Sequence, residues 1–478
     1  MFYGREDQIE SLLMLFKKRG PSLVTCRGRR RIGKSTLIKI FAERANACLI
    51  KVEGLRPKRG LSNADELSNF AIQLAAQTGC EETPPSNWLN AFIRLDKEID
   101  DSKRMVVLLD EISWMAHYDT TFSGTLKIAW DNYFKNHPKL VLVVCGSVST
   151  WIRDNIIEDG SFYGRRSLDV VVPELPLSEC VRFWGKAAHR IDRREIVDVL
   201  SVTGGIPRYL EEIDPGATAN ENIRRLCFSP KGILREDFDE MFSDVITRQP
   251  AFTASVMRSL VDGAHSVTEI AETLDMEKSG RISDALLQLE ESGIVSSDCG
   301  KNPATGGDVR SVRYRLKDNY SRFYLKYIEP AKAVIDGGAF EFGSLDRLDG
   351  WESVMGLAFE NMVVNNYRYL IASIGFGSAH VVSAAPYRRA ASRNGARDGV
   401  QVDLLVQTRR AICVVEVKRQ REIGRDVIDE VSEKIKRVPC RDGMSVRTAL
   451  VYEGHLAPIV EADGYFDAII PFRRLLGM

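Results

Sequence analysis

From residue 4 to about residue 155 the chain alternates short aliphatic runs with longer amphipathic stretches. Residues 21–26, 48–52, 105–109 and 140–145 read as buried strands and residues 34–44 as a helix. Continuous apolar strands separated by helices predict a parallel sheet covered on both faces, so residues 1–160 are expected to form an α/β domain. Between about residues 161 and 247 the aliphatic strands stop and helical periodicity takes over, as at 177–188 and 194–202, which predicts a small helical lid. Residues 253–261, 267–274 and 282–292 then read as three short helices, followed by strand-like stretches at 293–296 and 309–316 around a polar turn, a unit spanning 248–330. After a break at 330–343, a long amphipathic helix at 351–370 and strands at 401–406, 411–417 and 448–452 restore α/β character over 345–478. The chain has no internal repeat and no low-complexity segment.

A length of 478 residues agrees with several domains, since single cores rarely exceed about 250–300 residues. Lys plus Arg equals Asp plus Glu at 66 each, so attraction to nucleic acid or to a membrane must come from local patches. The nine cysteines are scattered, odd in number and never in a C-x-x-C pair, which argues against a disulfide framework or a zinc site and fits a reducing compartment. The opening residues are not a charged-then-apolar leader, and no aliphatic run is long enough to span a bilayer. A cytoplasmic location without membrane contact is the expectation.

Gly28-Arg29-Arg30-Arg31-Ile32-Gly33-Lys34-Ser35 matches G-x-x-x-x-G-K-[ST] and lies between an expected strand and an expected helix, with Thr36 following in the first turn. The glycines let backbone N–H groups curl around phosphates, Lys34 reaches the β- and γ-phosphates of ATP, and Ser35 ligates Mg²⁺. The apolar strand at 105–109 delivers Asp110 beside the metal and Glu111 toward the attacking water. The strand at 140–145 ends at Gly146-Ser147; the Ser147 hydroxyl either approaches the γ-phosphate or only caps a helix. In Gly164-Arg165-Arg166, either arginine stabilises transition-state charge, in cis or in a neighbouring subunit of a homo-oligomer, or both are solvated surface charges.

Together with the opening Phe2-Tyr3-Gly4-Arg5-Glu6 and with Gly204-Gly205-Ile206-Pro207-Arg208-Tyr209-Leu210, these motifs resemble the archaeal-type ATPases of the AAA+ and STAND-like P-loop class, over roughly residues 1–330. The resemblance implies that the Gly4-Arg5-Glu6 segment lies near the adenine and that the Gly-Gly-Ile-Pro turn lets the lid sense nucleotide. The unit at 248–330 has the element order of a winged helix, in which residues 278–291 would enter a DNA major groove and Arg310, Arg313 and Arg315 would touch phosphates. Its third helix carries Asp284, Glu290 and Glu291 against few basic residues, so a protein partner is an equal alternative to DNA.

In the C-terminal part, Asp403 follows Val400-Gln401-Val402, and the next strand carries Glu416 and Lys418 on one face. Hairpin pairing can bring Asp403 close to them, and Glu360 on the preceding helix can complete a cluster able to hold Mg²⁺ for phosphodiester hydrolysis. The spacing resembles the PD-(D/E)XK nucleases, with Val402 where the motif name has Pro, and archaeal-type ATPases often carry such a domain. The alternative is a charged edge strand. Arg388, Arg389, Arg393, Arg397, Arg409, Arg410, Arg419, Arg421 and Arg425 make the region locally basic, which favours a phosphate backbone and hence DNA. The expected fold class is thus multidomain α/β: a P-loop parallel sheet with helical lid, a winged helix, and an α/β restriction-endonuclease-like domain. Two functions remain open, an ATPase that controls a metal-dependent nuclease and a STAND-like switch whose C-terminal domain only binds.

Overall fold

The computed structural model describes residues 2–147, 149–245, 249–309, 312–340, 344–377, 379–391 and 398–478. Arg310, Arg393 and Arg397, and the expected domain boundary at residues 247 and 248, lie outside them. The chain divides into two compact units, Met1–Glu174 and Leu175–Met478.

In the first unit, β1 (Ser22–Arg27), β2 (Cys48–Glu53), β3 (Met105–Asp110), β4 (Leu140–Gly146) and β5 (Arg166–Val171) form one sheet in the order β2-β3-β4-β1-β5. Every neighbouring pair is parallel. All residues of β3 and β4 are buried, as continuous apolar runs require. Helices flank the strands, and Trp88, Phe92 and Phe122 pack edge to face in the core, with Trp88 and Phe122 centroids 4.8 Å apart.

The expectation that strands stop near residue 161 is corrected by β5. Its sequence, Arg-Ser-Leu-Asp-Val-Val, lacks a continuous apolar run because it is an edge strand, half-buried over most of its length. Polar bonds fix it instead: Asp169 accepts from the Thr25 hydroxyl at 2.7 Å and from the Arg27 guanidinium at 3.0 Å. The first unit therefore runs on to Glu174.

The second unit begins with helices that include Arg193–Thr203, Ala219–Cys227 and Ile233–Val245. Helices Pro250–Arg258, Val267–Thr273 and Gly280–Glu291 follow, interleaved with a small antiparallel sheet of β6 (His265–Ser266), β7 (Val295–Asp298) and β8 (Arg313–Leu316) in the order β6-β8-β7. Two arginines expected to face outward are consumed in packing. Arg313 bonds the Ala264 carbonyl and Glu269, while the largely buried Arg315 bonds Asp298, Asn361 and Asn365. The helix expected at 351–370 is Trp351–Asn365, followed by a 3₁₀ turn.

The last sheet comprises β9 (Val381–Arg389), β10 (Val400–Thr408), β11 (Ala411–Ile423), β12 (Ser445–Leu456) and β13 (Ala468–Pro471) in the order β13-β12-β11-β10-β9. β9, β10 and β11 pair antiparallel, whereas β11, β12 and β13 pair parallel. The parallel β11–β12 connection carries the helix Asp426–Arg437, as a crossover requires. Among the described residues no helix is long and apolar enough to cross a membrane, and none of the nine cysteines forms a disulfide.

Glu66, on the helix Asn63–Thr78, is 1% exposed; one carboxylate oxygen accepts from the Leu55 N–H, while the other has no partner among the described residues. Burial pushes its carboxyl up to about 7. Because this lies above the value in an unfolded chain, the folded state binds the extra proton below pH 7, and the ionised form weakens the fold as pH rises through 7. Glu66→Gln is expected to raise the melting temperature relative to the parent by an amount that grows from pH 5 to pH 8, measured by thermal unfolding in matched buffers.

Candidate functional sites

The phosphate loop follows directly from β1. Gly28 has φ +154°, and a Cβ there would lie 2.5 Å from the Val172 carbonyl oxygen, so only glycine lets the loop leave the sheet at this point. Gly33, at φ +89°, turns the backbone into the helix Lys34–Arg44, whose first N–H groups face the loop. Ile32 is buried, and Thr36 is exposed on the first turn. The guanidinium of Arg30 lies over the Trp114 ring at 5.9 Å, and Arg29 and Arg31 complete the loop, with Arg31 in the left-handed region. The Lys34 ammonium donates to the carbonyls of Gly28 and Arg29, both at 3.1 Å, so it spans the loop it is expected to bridge to phosphate. Arg5 donates to the Ile32 carbonyl at 3.3 Å and ties the opening segment to the loop.

The parallel register brings the other strand ends alongside. The Ser35 hydroxyl donates to Asp110 at 2.6 Å, and the two side chains are the donors available there to a divalent ion. Glu111, at φ +49°, accepts from both the N–H and the hydroxyl of Ser147, at 3.2 and 2.9 Å. Ser147 thus holds the residue expected to orient water. Sequence reasoning missed Lys51 on β2, whose ammonium lies 3.0 Å from Asp110 and 2.8 Å from Glu53; a lysine inside a short strand carries no motif that marks it. Arg165 forms a two-pronged pair with Asp131 at 2.7 and 2.9 Å and holds that carboxyl down at about 2. It is therefore engaged within its own unit, while the half-buried Arg166 opens β5.

A second site lies in the C-terminal sheet. Leu404 pairs with Val415, which sets Asp403 beside Glu416, and Asp403 accepts from the Val417 N–H at 2.9 Å. A cleft of about 450 Å³ is lined by Glu360, Asp403, Glu416, Lys418, Glu430 and Lys434, among others, so all four expected residues meet there. Burial, then the neighbouring Glu360, drives Asp403 up to about 6; burial, then Asp403, drives Glu416 up to about 7. Glu360 is raised as well, first by burial. Crowded, half-desolvated carboxylates of this kind are the donor set a hard divalent cation takes.

Two residues of this cleft were not foreseen. Lys434 contacts both oxygens of Glu416, at 2.8 and 2.7 Å, and Glu430 at 2.9 Å; Lys418 contacts Glu416 at 3.0 Å and Glu430 at 2.7 Å. The only trace in the sequence is the i,i+4 spacing of Glu430 and Lys434, which reads as an ordinary pair on a solvated helix. Among the described residues no three His, Cys, Asp or Glu side chains converge tightly enough to enclose one ion. Arg388, Arg409, Arg410 and Arg421 are exposed, whereas Arg419 is paired with Asp198 and Glu352.

Residues 2–213 match an ATPase domain predominantly from Archaea. An uncharacterized protein of Methanocaldococcus jannaschii is 23% identical over 371 residues, 76% of each chain. A Walker-type ATPase of Pyrococcus abyssi shares the fold with a TM-score of 0.51 at 15% identity, over 68% of this chain and 96% of that one. The match to an ATPase domain supports ATP hydrolysis by this protein.

Lys34→Ala is expected to weaken ATP binding, and Glu111→Gln to retain binding while turnover falls by about 10²-fold or more, the usual loss for a group that handles the proton of attacking water. Fluorescent-nucleotide titration and phosphate release measured on the same preparations check both. Normal turnover in Glu111→Gln would remove Glu111 from its role.

Proposed function

We propose that this ATPase controls a metal-dependent phosphodiesterase site acting on DNA, formed by Asp403, Glu416, Glu360 and Lys418. The observation that carries the reading is the meeting of these four side chains around one cleft, with the carboxyls of Asp403 and Glu416 pushed up to about 6 and about 7. Asp403 and Glu416 would hold a divalent ion, which would supply Lewis acidity to the site. In hydrolysis the oxygen of water bonds to phosphorus, one P–O ester bond breaks, and a proton ends on the leaving oxygen. Lys418, an ammonium beside Glu416, is placed to stabilise negative charge on the phosphoryl oxygens. The exposed Arg388, Arg409, Arg410 and Arg421 suit a phosphate backbone.

In the ATPase unit, Mg²⁺ bound by Ser35 with Asp110 behind it would neutralise the β- and γ-phosphates. Glu111 must turn from Ser147 toward water before hydrolysis, so the serine serves as its resting partner. The unit at 248–330 fits a winged helix; with Arg313 and Arg315 engaged internally, it is better suited to a protein or intramolecular contact than to DNA phosphates.

A second reading, a STAND-like switch whose C-terminal part only binds, is favoured by the hold of two lysines on Glu416. Plasmid and linear DNA incubated with Mg²⁺ or Mn²⁺, with and without ATP, separate the two. Cleavage that disappears in Asp403→Ala while ATP hydrolysis continues is the expected result; intact DNA in every condition alongside normal ATP hydrolysis selects the switch.

A further inference from the structure

The carboxylate cleft has an unusual distribution of cations, and it bears on how many metal ions the site can take. Glu416 is 1% exposed, and its two oxygens already accept three contacts: two from Lys434, at 2.8 and 2.7 Å, and one from Lys418, at 3.0 Å. A carboxylate offers about four lone-pair positions, so about one remains for a metal. Asp403 is different: among the described residues it accepts one bond, from the Val417 N–H at 2.9 Å, and Glu360 accepts no side-chain or backbone bond. The open coordination capacity therefore lies on the Asp403 side of the cleft.

Charge gives the same count. With all four acids ionised, as metal ligands are, Glu360, Asp403, Glu416 and Glu430 carry four negative charges, and Lys418 and Lys434 return two positive ones. The remainder equals the charge of one divalent ion. Mg²⁺ and its analogues are commonly held by one or two carboxylates with water filling the other positions, so the site does not need three convergent acids. Glu433, also at the cleft, is occupied by Lys436 at 2.7 Å and Arg437 at 3.5 Å.

We propose that Lys434 is a built-in second cation of this cleft: its ammonium holds the place on Glu416 that a second metal ion would take, so the cluster binds one divalent ion rather than two. This rests on the metal-dependent reading of Asp403 and Glu416. Lys434 acts through Glu416 and is a positioning residue, whereas Lys418, on β11, keeps its own role toward phosphate.

The test counts metal ions without requiring catalysis. Mn²⁺ is titrated into the full-length protein without nucleotide, and free Mn²⁺ is read by its electron paramagnetic resonance; the difference between the parent and Asp403→Ala assigns the ions that belong to the cluster. One ion per chain lost in Asp403→Ala is the expected result. In Lys434→Met the cluster is expected to take a second ion, and its first to bind about tenfold more tightly, because a neighbouring positive charge has gone. Lys434→Gln, which keeps a polar end without the charge, serves if the methionine variant aggregates. Two ions lost from the parent in Asp403→Ala overturn the role of Lys434 and leave the metal-dependent site standing. An unchanged count in both lysine variants also overturns it. No difference between parent and Asp403→Ala overturns the metal-dependent reading itself, and the inference with it.

Discussion

The parallel register of β1, β4 and β3 is the constraint on which the ATPase unit depends. Because Cys26 lies level with Cys145, and Leu109 with Val144, the three strands end along one edge of the sheet. That alignment brings the Ser35 hydroxyl to the carboxylate at 110 and the Ser147 hydroxyl to the carboxylate at 111, although the sequence separates each pair by tens of residues. The outer strand β5 gains little from apolar burial, and Asp169, gripping Thr25 and Arg27, fixes it to β1 instead. A slip in that pairing would displace the loop together with its glycines.

Carboxylates at both sites are held by lysines. Asp110 has Lys51 at 3.0 Å, and Glu416 has Lys418 and Lys434. The reason is general: a desolvated carboxylate needs either a proton or a nearby cation, and removing one partner of a buried ion pair costs about 3–5 kcal/mol. At Glu416 the two lysines work against the burial that drives its carboxyl up, and they fix where its oxygens point.

Much of the first unit was legible because its chemistry is local. Gly28 to Ser35 is a contiguous motif, the helix that follows begins and ends where its periodicity says, and β3 and β4 are unbroken apolar runs. The edge strand β5 was not legible, since its signal is a polar bond to residues about 140 positions earlier, as the 142-residue separation of Arg27 and Asp169 illustrates. In the second unit, alternation along β11 put Glu416 and Lys418 on one face, and the hairpin brought Asp403 to them. Nothing local announced Lys434, because a helix can turn a lysine toward a strand or toward water with the same sequence pattern. For the same reason Arg315 looked like a surface charge: its partners Asn361 and Asn365 lie in a helix that only the tertiary fold brings near. The strands β9 and β13 were likewise missed, and both are sheet edges.

The close approach of Gly28 to Val172 has a mechanical side. The Arg27 carbonyl accepts from the Val172 N–H at 2.8 Å, and the Gly28 Cα faces the Val172 carbonyl with no room for a methyl group. Val172 also lies just before the residue at which the chain leaves the first unit, Glu174. The first turn of the phosphate loop and the outgoing chain are therefore braced against each other, with neither slack nor a side chain to absorb displacement. A side chain at residue 28 would therefore press on the peptide of Val172, close to the end of the first unit at Glu174.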